Sequence, residues 1–188
     1  MNKFKIILFF ILLFHCQSVF GIHLKMQYAG NIGMFSLGVG GSFFNEKLNI
    51  FSMFGQINNS LTDVNEQIIC GGININSPKL NLYNSINLIP IFIGISINYH
   101  LGDDYFITLP NKYPNSYYKQ TALNTAYSLG FKIQWKNDFM KIIEISEFYF
   151  QVGTLNSYLK SYLRSKFEEG FIELYDIINL SFGFTVYF

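Results

Sequence analysis

Charge, cysteine, proline and long hydrophobic runs are all scarce in this chain. Asp, Glu, Lys and Arg make up only 13% of the 188 residues, and 13 basic against 12 acidic side chains leave a formal net charge of +1. Without a basic cluster there is no electrostatic footprint for DNA or RNA, so nucleic acid is not expected as a partner. Half of the residues are hydrophobic and the mean hydropathy is +0.23. Yet the one continuous apolar run, residues 6–14, is far shorter than the ~20 residues a membrane helix needs. High apolar content without a spanning helix leaves strands to carry it. Phosphate-cradling glycine loops, metal-ligand spacings and nucleophile motifs are also missing, so no catalytic, cofactor or metal residue is assigned.

The first 21 residues read as a secretory signal: Lys3 and Lys5 form a charged leader, residues 6–14 the apolar region, and a short polar step follows. Cleavage fits after Ser18 or after Gly21, and the second choice leaves a domain of residues 22–188. Cys16 also admits a lipoprotein reading, but Phe14 and His15 before it are larger than such a processing site accepts. If Cys16 leaves with the signal, Cys70 is alone and no intramolecular disulfide forms.

What the sequence has in abundance is alternation. The clearest case is residues 176–188, where Leu180, Phe182, Phe184, Val186 and Phe188 fall on one side and Asn179, Ser181, Gly183, Thr185 and Tyr187 on the other. A period of two, with large apolar groups on one face only, describes a strand between a greasy medium and a polar or small-residue interior. Ile89, Ile91, Ile93, Ile95, Ile97 and Tyr99 repeat the pattern opposite Pro90, Phe92, Gly94, Ser96, Asn98 and His100, with a local break expected at Pro90 because proline removes a ladder donor. Residues 20–28 place His23, Lys25 and Gln27 opposite Ile22, Leu24, Met26 and Tyr28. Residues 32–44 place Phe35, Leu37, Val39 and Phe43 opposite Met34, Ser36, Gly38, Gly40 and Ser42. The same reading gives strands over 66–76 and 123–135 and a third, unassigned in its faces, over 48–57. Near Ser146 and Glu147 the phase slips from Ile143 and Ile145 to Phe148, Phe150 and Val152, which predicts a β-bulge.

From Leu155 the spacing turns helical: Leu155, Tyr158, Leu159, Tyr162, Leu163 and Phe167 form a stripe away from Lys160, Arg164 and Lys166, with Thr154 or Asn156 as cap. The longer connections follow the third, fifth and seventh strands, and the second and sixth strands end in tight turns. The expected fold is all-β: a small antiparallel up-and-down transmembrane β-barrel of about eight strands, with one short amphipathic helix in the last long loop.

The ending of the chain resembles the terminal strand of bacterial outer-membrane β-barrel proteins, in which an alternating aromatic segment closes on Phe and is read by the barrel-assembly machinery. The resemblance implies export to the outer membrane of a Gram-negative bacterium, with Ile91, Ile93, Ile95, Phe182, Phe184 and Phe188 facing lipid. It implies a monomer whose partners are outer-membrane lipid and that machinery.

Inside a barrel of this size side chains fill the lumen, so polar residues there are expected to be structural. The candidates are His23, Lys25, His100, Lys132, Glu144 and Glu147, with Lys132 and Glu144 as the expected ion pair. A structural or surface-interaction role is the leading expectation. The alternatives are a lipid-modifying enzyme built on His100, Ser96 and Glu147, and a soluble periplasmic lipid-binding barrel that would turn its isoleucine and phenylalanine rows inward. Asp103 and Asp104 lack the ligand spacing of a calcium loop. Tyr113, Tyr117 and Tyr118 are expected in an interfacial belt.

Overall fold

The computed structural model describes residues 21–59, 64–102, 105, 122–137, 142–167 and 171–188. The signal segment through residue 20 with Cys16, the acidic pair Asp103 and Asp104, and the tyrosines at 113, 117 and 118 lie outside the described residues.

The strands are β1 (Gly21–Tyr28), β2 (Phe35–Phe43), β3 (Leu48–Asn59), β4 (Val64–Asn76), β5 (Leu80–Tyr83), β6 (Ile86–Leu101), β7 (Leu123–Lys136), β8 (Ile145–Leu155) and β9 (Asn179–Tyr187). Sequence neighbours other than β4 and β5 pair antiparallel, β1 pairs with β9, and β4 pairs directly with β6. That last ladder closes the sheet into an eight-stranded barrel, with β5 a short hairpin extension of β6 beyond the wall. Closure leaves no long edge unpaired, which is how an all-β chain without disulfides avoids open-edge association. Cys70 is free and buried inside.

Gly21 and Phe188 meet at one end, where the Phe188 amide donates to the Ile22 carbonyl at 3.0 Å. This terminal rim carries the turn at 44–47, the β5 hairpin, the end of β7 and the start of β8. The loop rim opposite carries the turn at 29–34, the end of β3 and start of β4, the end of β6 and start of β7, and the helices that lie between β8 and β9. The ladder between β3 and β4 runs further than the alternation indicated, through Asn58–Asn65 to Asn59–Val64.

Alternation holds along most of the wall. Ile22, Leu24 and Met26 of β1, Phe35, Leu37 and Val39 of β2, Ile69, Ile73 and Ile75 of β4, and Leu180 and Phe182 of β9 are exposed on the outside. Ile91, Ile93 and Ile95 also face outward, as do Phe184, half-buried against Trp135 at 5.7 Å between ring centres, and Phe188. Three local expectations fail. Ile89 points inward and is fully buried, because the register between β6 and β7 shifts between Ile89 and Phe92, around Pro90. Met34 is exposed, since β2 begins only at Phe35 and Met34 belongs to the turn. The bulge at Ser146 is absent: β8 starts at Ile145 and keeps one register with both neighbours, so the change of phase marks the strand's start.

Helix α1 spans Asn156–Phe167 and is followed by α2, Leu174–Ile177. Thr154 does not cap α1; its hydroxyl donates to the Ile177 carbonyl at 2.7 Å and ties the end of α2 to the wall. Of the helical stripe, Leu159 and Tyr162 are half-buried while Tyr158, Leu163 and Phe167 stay exposed above the loop rim.

Candidate functional site: a sealed polar interior

Register builds the interior in layers. Glu147, Thr185 and Lys25 are successive cross-strand partners on β8, β9 and β1, and all three point inward. The next inward layer is Lys132, Tyr149, Gly183 and Gln27. Glycine is required at two of these close approaches. A Cβ on Gly183 would collide with the Tyr149 ring and the Met26 carbonyl, and one on Gly130 would collide with Phe92. Bulky inward aromatics are thus seated on strands that give up their own side chains.

The ion pair of the interior is Lys132 with Glu147, at 3.3 Å and with both side chains only 2% exposed. Glu147 also accepts from Gln134 Nε2 at 2.7 Å and from the Tyr187 hydroxyl at 3.1 Å, so its lone pairs are occupied by three donors. Glu144, the expected partner, is exposed on the terminal rim just before β8, where its backbone bonds Asn137 and Tyr187. The inward phase of β8 therefore reaches Glu147 and not Glu144. His23 is buried 3.3 Å from the Ser42 hydroxyl and stacks at a tilt on Tyr187, with 5.0 Å between ring centres.

Lys25 is different. It is 5% exposed, and its ammonium lies over the rings of Phe51 at 4.4 Å and Tyr149 at 4.3 Å from their centres. Two aromatic faces stabilise a cation by about 0.5–2 kcal/mol each, less than the several kcal/mol that desolvating an ion costs.

His100 stands at the loop rim, 3.5 Å from a Glu66 carboxylate oxygen without hydrogen-bond geometry and 4.9 Å from the Tyr105 ring centre. Glu147 is paired through Gln134 to the far end of β6, at Asn87. The arrangement thus does not bring His100, Ser96 and Glu147 together. Among the described residues no group of three or more His, Cys, Asp or Glu side chains is placed to hold a metal.

Both mouths are filled. At the terminal rim the 44–47 turn holds Phe44, Asn45 and Glu46 in the left-handed region, with φ of 53°, 55° and 62°, a conformation rare for phenylalanine. It aims Glu46 at Gln134 Nε2, 2.7 Å away, and at Lys79, 2.8 Å away. At the loop rim the 29–34 turn folds inward: Asn98 donates to the Asn31 carbonyl at 2.9 Å, Asn179 donates to the Asn31 side chain, and Ile32 is buried with Phe51, Met53, Ile68 and Cys70. Between the plugs Phe92, Tyr149 and Ile89 are fully buried.

Several of these residues escaped the sequence reading. Phe51 and Met53 lie inward because Ser52 lies outward, a signal hidden by the equally apolar Ile50 and Phe54. Tyr149 was masked by Phe148 and Phe150 on either side. No family model matches the chain, and neither does any curated protein or solved structure.

Proposed function

We propose that this chain is a monomeric outer-membrane β-barrel with a structural or surface-interaction role and no catalysis, exported by a cleaved signal and inserted through its closing strand by the barrel-assembly machinery. The observation that carries this reading is the outer wall. Every barrel strand presents exposed Ile, Leu, Val, Met, Phe or Tyr outward, while Lys25, Lys132, Glu147, Asn74, Asn98, Gln27 and Gln134 point in; the exposed Gln56, Gln67 and Lys136 lie near strand ends. Such a wall suits hydrocarbon, and its inverse suits water. A soluble lipid-carrying barrel would need its isoleucine rows inside, and here they lie outside. The plugged mouths favour a structural part over a channel. Exposed Tyr158, Leu163 and Phe167 beside the charged Lys160 and Lys166 suit α1 to the headgroup layer, with anionic lipid as its partner. Cell fractionation with gel mobility before and after boiling tests the reading. The protein is expected in the outer-membrane fraction, migrating faster unboiled; recovery in the soluble periplasm overturns it.

A further inference from the structure

The interior charges do not balance. Among the described residues Lys25 and Lys132 lie inside the wall opposite a single enclosed carboxylate, Glu147, which Lys132, Gln134 and Tyr187 already occupy. Glu46 sits at the terminal mouth and is held there by Lys79 and Gln134. The Lys25 ammonium makes no ion pair or hydrogen bond with any described side chain; its neighbours are the faces of Phe51 and Tyr149. A buried charge left in this state is unfavourable unless something brings the opposite charge to it.

Beside Lys25, on the loop-rim side, is a cavity of about 20 Å3 whose polar wall is Gln27, Asn74, Ser96, Ser128 and Gln151, whose apolar wall includes Phe51 and Ile95, and which the Asn31 turn borders. A space of this size holds a single water-sized sphere. Its lining holds groups that can donate: the hydroxyl of Ser128, the amide of Asn74 and the second amide hydrogen of Gln151, whose other donor bond goes to Gln27 at 3.2 Å; the Ser96 hydroxyl donates to Asn98. There is no carboxylate in this lining.

We propose that this cavity is a binding site for one small monovalent anion of halide size, held by the Lys25 ammonium and the side-chain donors around it. The anion supplies the interior's missing negative charge and becomes part of the folded barrel, as a bound water would in a neutral site. Size excludes sulfate and phosphate, which need several times the volume. The inference goes beyond the membrane reading and is independent of it, because it depends only on the closed interior.

The test is urea unfolding of the full chain in detergent micelles, in sodium gluconate, chloride, bromide or sulfate at constant ionic strength. Chloride and bromide are expected to raise the midpoint. Above the dissociation constant, each tenfold rise in halide should lower the unfolding constant tenfold. Sulfate should match gluconate. Lys25→Met is expected to abolish the halide dependence while the exposed Lys136→Met retains it. Crystals of the unaltered chain grown in sodium bromide give a second readout that no variant's folding can confound: one anomalous peak beside Lys25 Nζ. Equal midpoints in gluconate and chloride, a halide effect that survives Lys25→Met, or bromide only at the outer surface would each overturn the proposal and leave a water beside an uncharged lysine.

Discussion

Replacing Glu147 by glutamine isolates the electrostatic content of the interior, because the side chain keeps its shape and loses only its charge. Three donors converge on this carboxylate: Lys132 at 3.3 Å, Gln134 at 2.7 Å and Tyr187 at 3.1 Å. The amide can still accept from one or two of them, but Lys132 is left enclosed without its carboxylate partner. Removing one partner of a buried pair costs about 3–5 kcal/mol. With a urea dependence of about 1–3 kcal/mol per molar, the unfolding midpoint should fall by at least ~1 M. The single tryptophan, Trp135, reports the transition by fluorescence from the outer wall of β7. In the double variant Lys132→Met/Glu147→Leu both charges are gone, and more than half of the lost stability should return, short of the full amount because the Tyr187 hydroxyl loses its acceptor. A Glu147→Gln midpoint within roughly 0.3 M of the unaltered protein, with an unchanged slope, would show the pair to be screened like one on a surface. The sealed interior would then be wrong.

Three further outcomes follow from the wall and its contents. Ile95→Arg, in the middle of β6 and facing out, should cost about 2–4 kcal/mol when the barrel is folded into bilayers; an effect within the ±0.5 kcal/mol of an ordinary surface change would refute a lipid-facing row. Gly183→Ala drives a methyl into Tyr149 and the Met26 carbonyl and should cost about 1–3 kcal/mol by overpacking, read from the same urea curves; a neutral result would mean that β8 and β9 can slide apart. Cys70, fully buried among Ile32, Phe51, Met53 and Ile68, should resist a maleimide in the folded state and react once urea passes the midpoint. Rapid labelling of the folded chain would show that the 29–34 turn does not close the mouth.

The outer wall was legible in the sequence because a single rule writes it. Wherever both ladders are regular, every second residue faces out, and a row such as Ile91, Ile93 and Ile95 needs no knowledge of its neighbours to be read. The rule fails where the ladder does: Pro90 breaks the register and turns Ile89 inward, and the phase of β8 becomes readable only once its start at Ile145 is known. The interior was only half legible, since inward residues could be named but not their partners. Gln134 and Glu46 are 88 positions apart in sequence and Tyr149 and Gln27 are 122 apart. Nothing local in the chain records that they meet. Glu144 and Glu147 cannot be told apart locally for this reason: both are acidic, three positions apart, and only the register with Thr185 decides that Glu147 reaches the lumen.

The distribution of charge also bears on why the interior is plugged at all. An eight-stranded wall encloses a lumen that side chains can fill, but a filling of polar groups is stable only if each finds a partner. Lys132 and Glu147 satisfy one another deep in the barrel, and the open ends are where solvent would compete for their neighbours. At the terminal mouth Glu46 takes the Gln134 donor that also serves Glu147, and Lys79 caps Glu46 from outside. At the loop mouth Asn31 joins Asn98 to Asn179 across the opening. Both turns depend on left-handed backbone to reach inward, at Phe44, Asn45 and Glu46 on one side and at Ala29 and Gly30 on the other. Such conformations persist only where their contacts hold them. Weakening the terminal contacts should therefore loosen the charge pair as well, because Gln134 donates to both Glu46 and Glu147 and ties that plug to the buried ion pair.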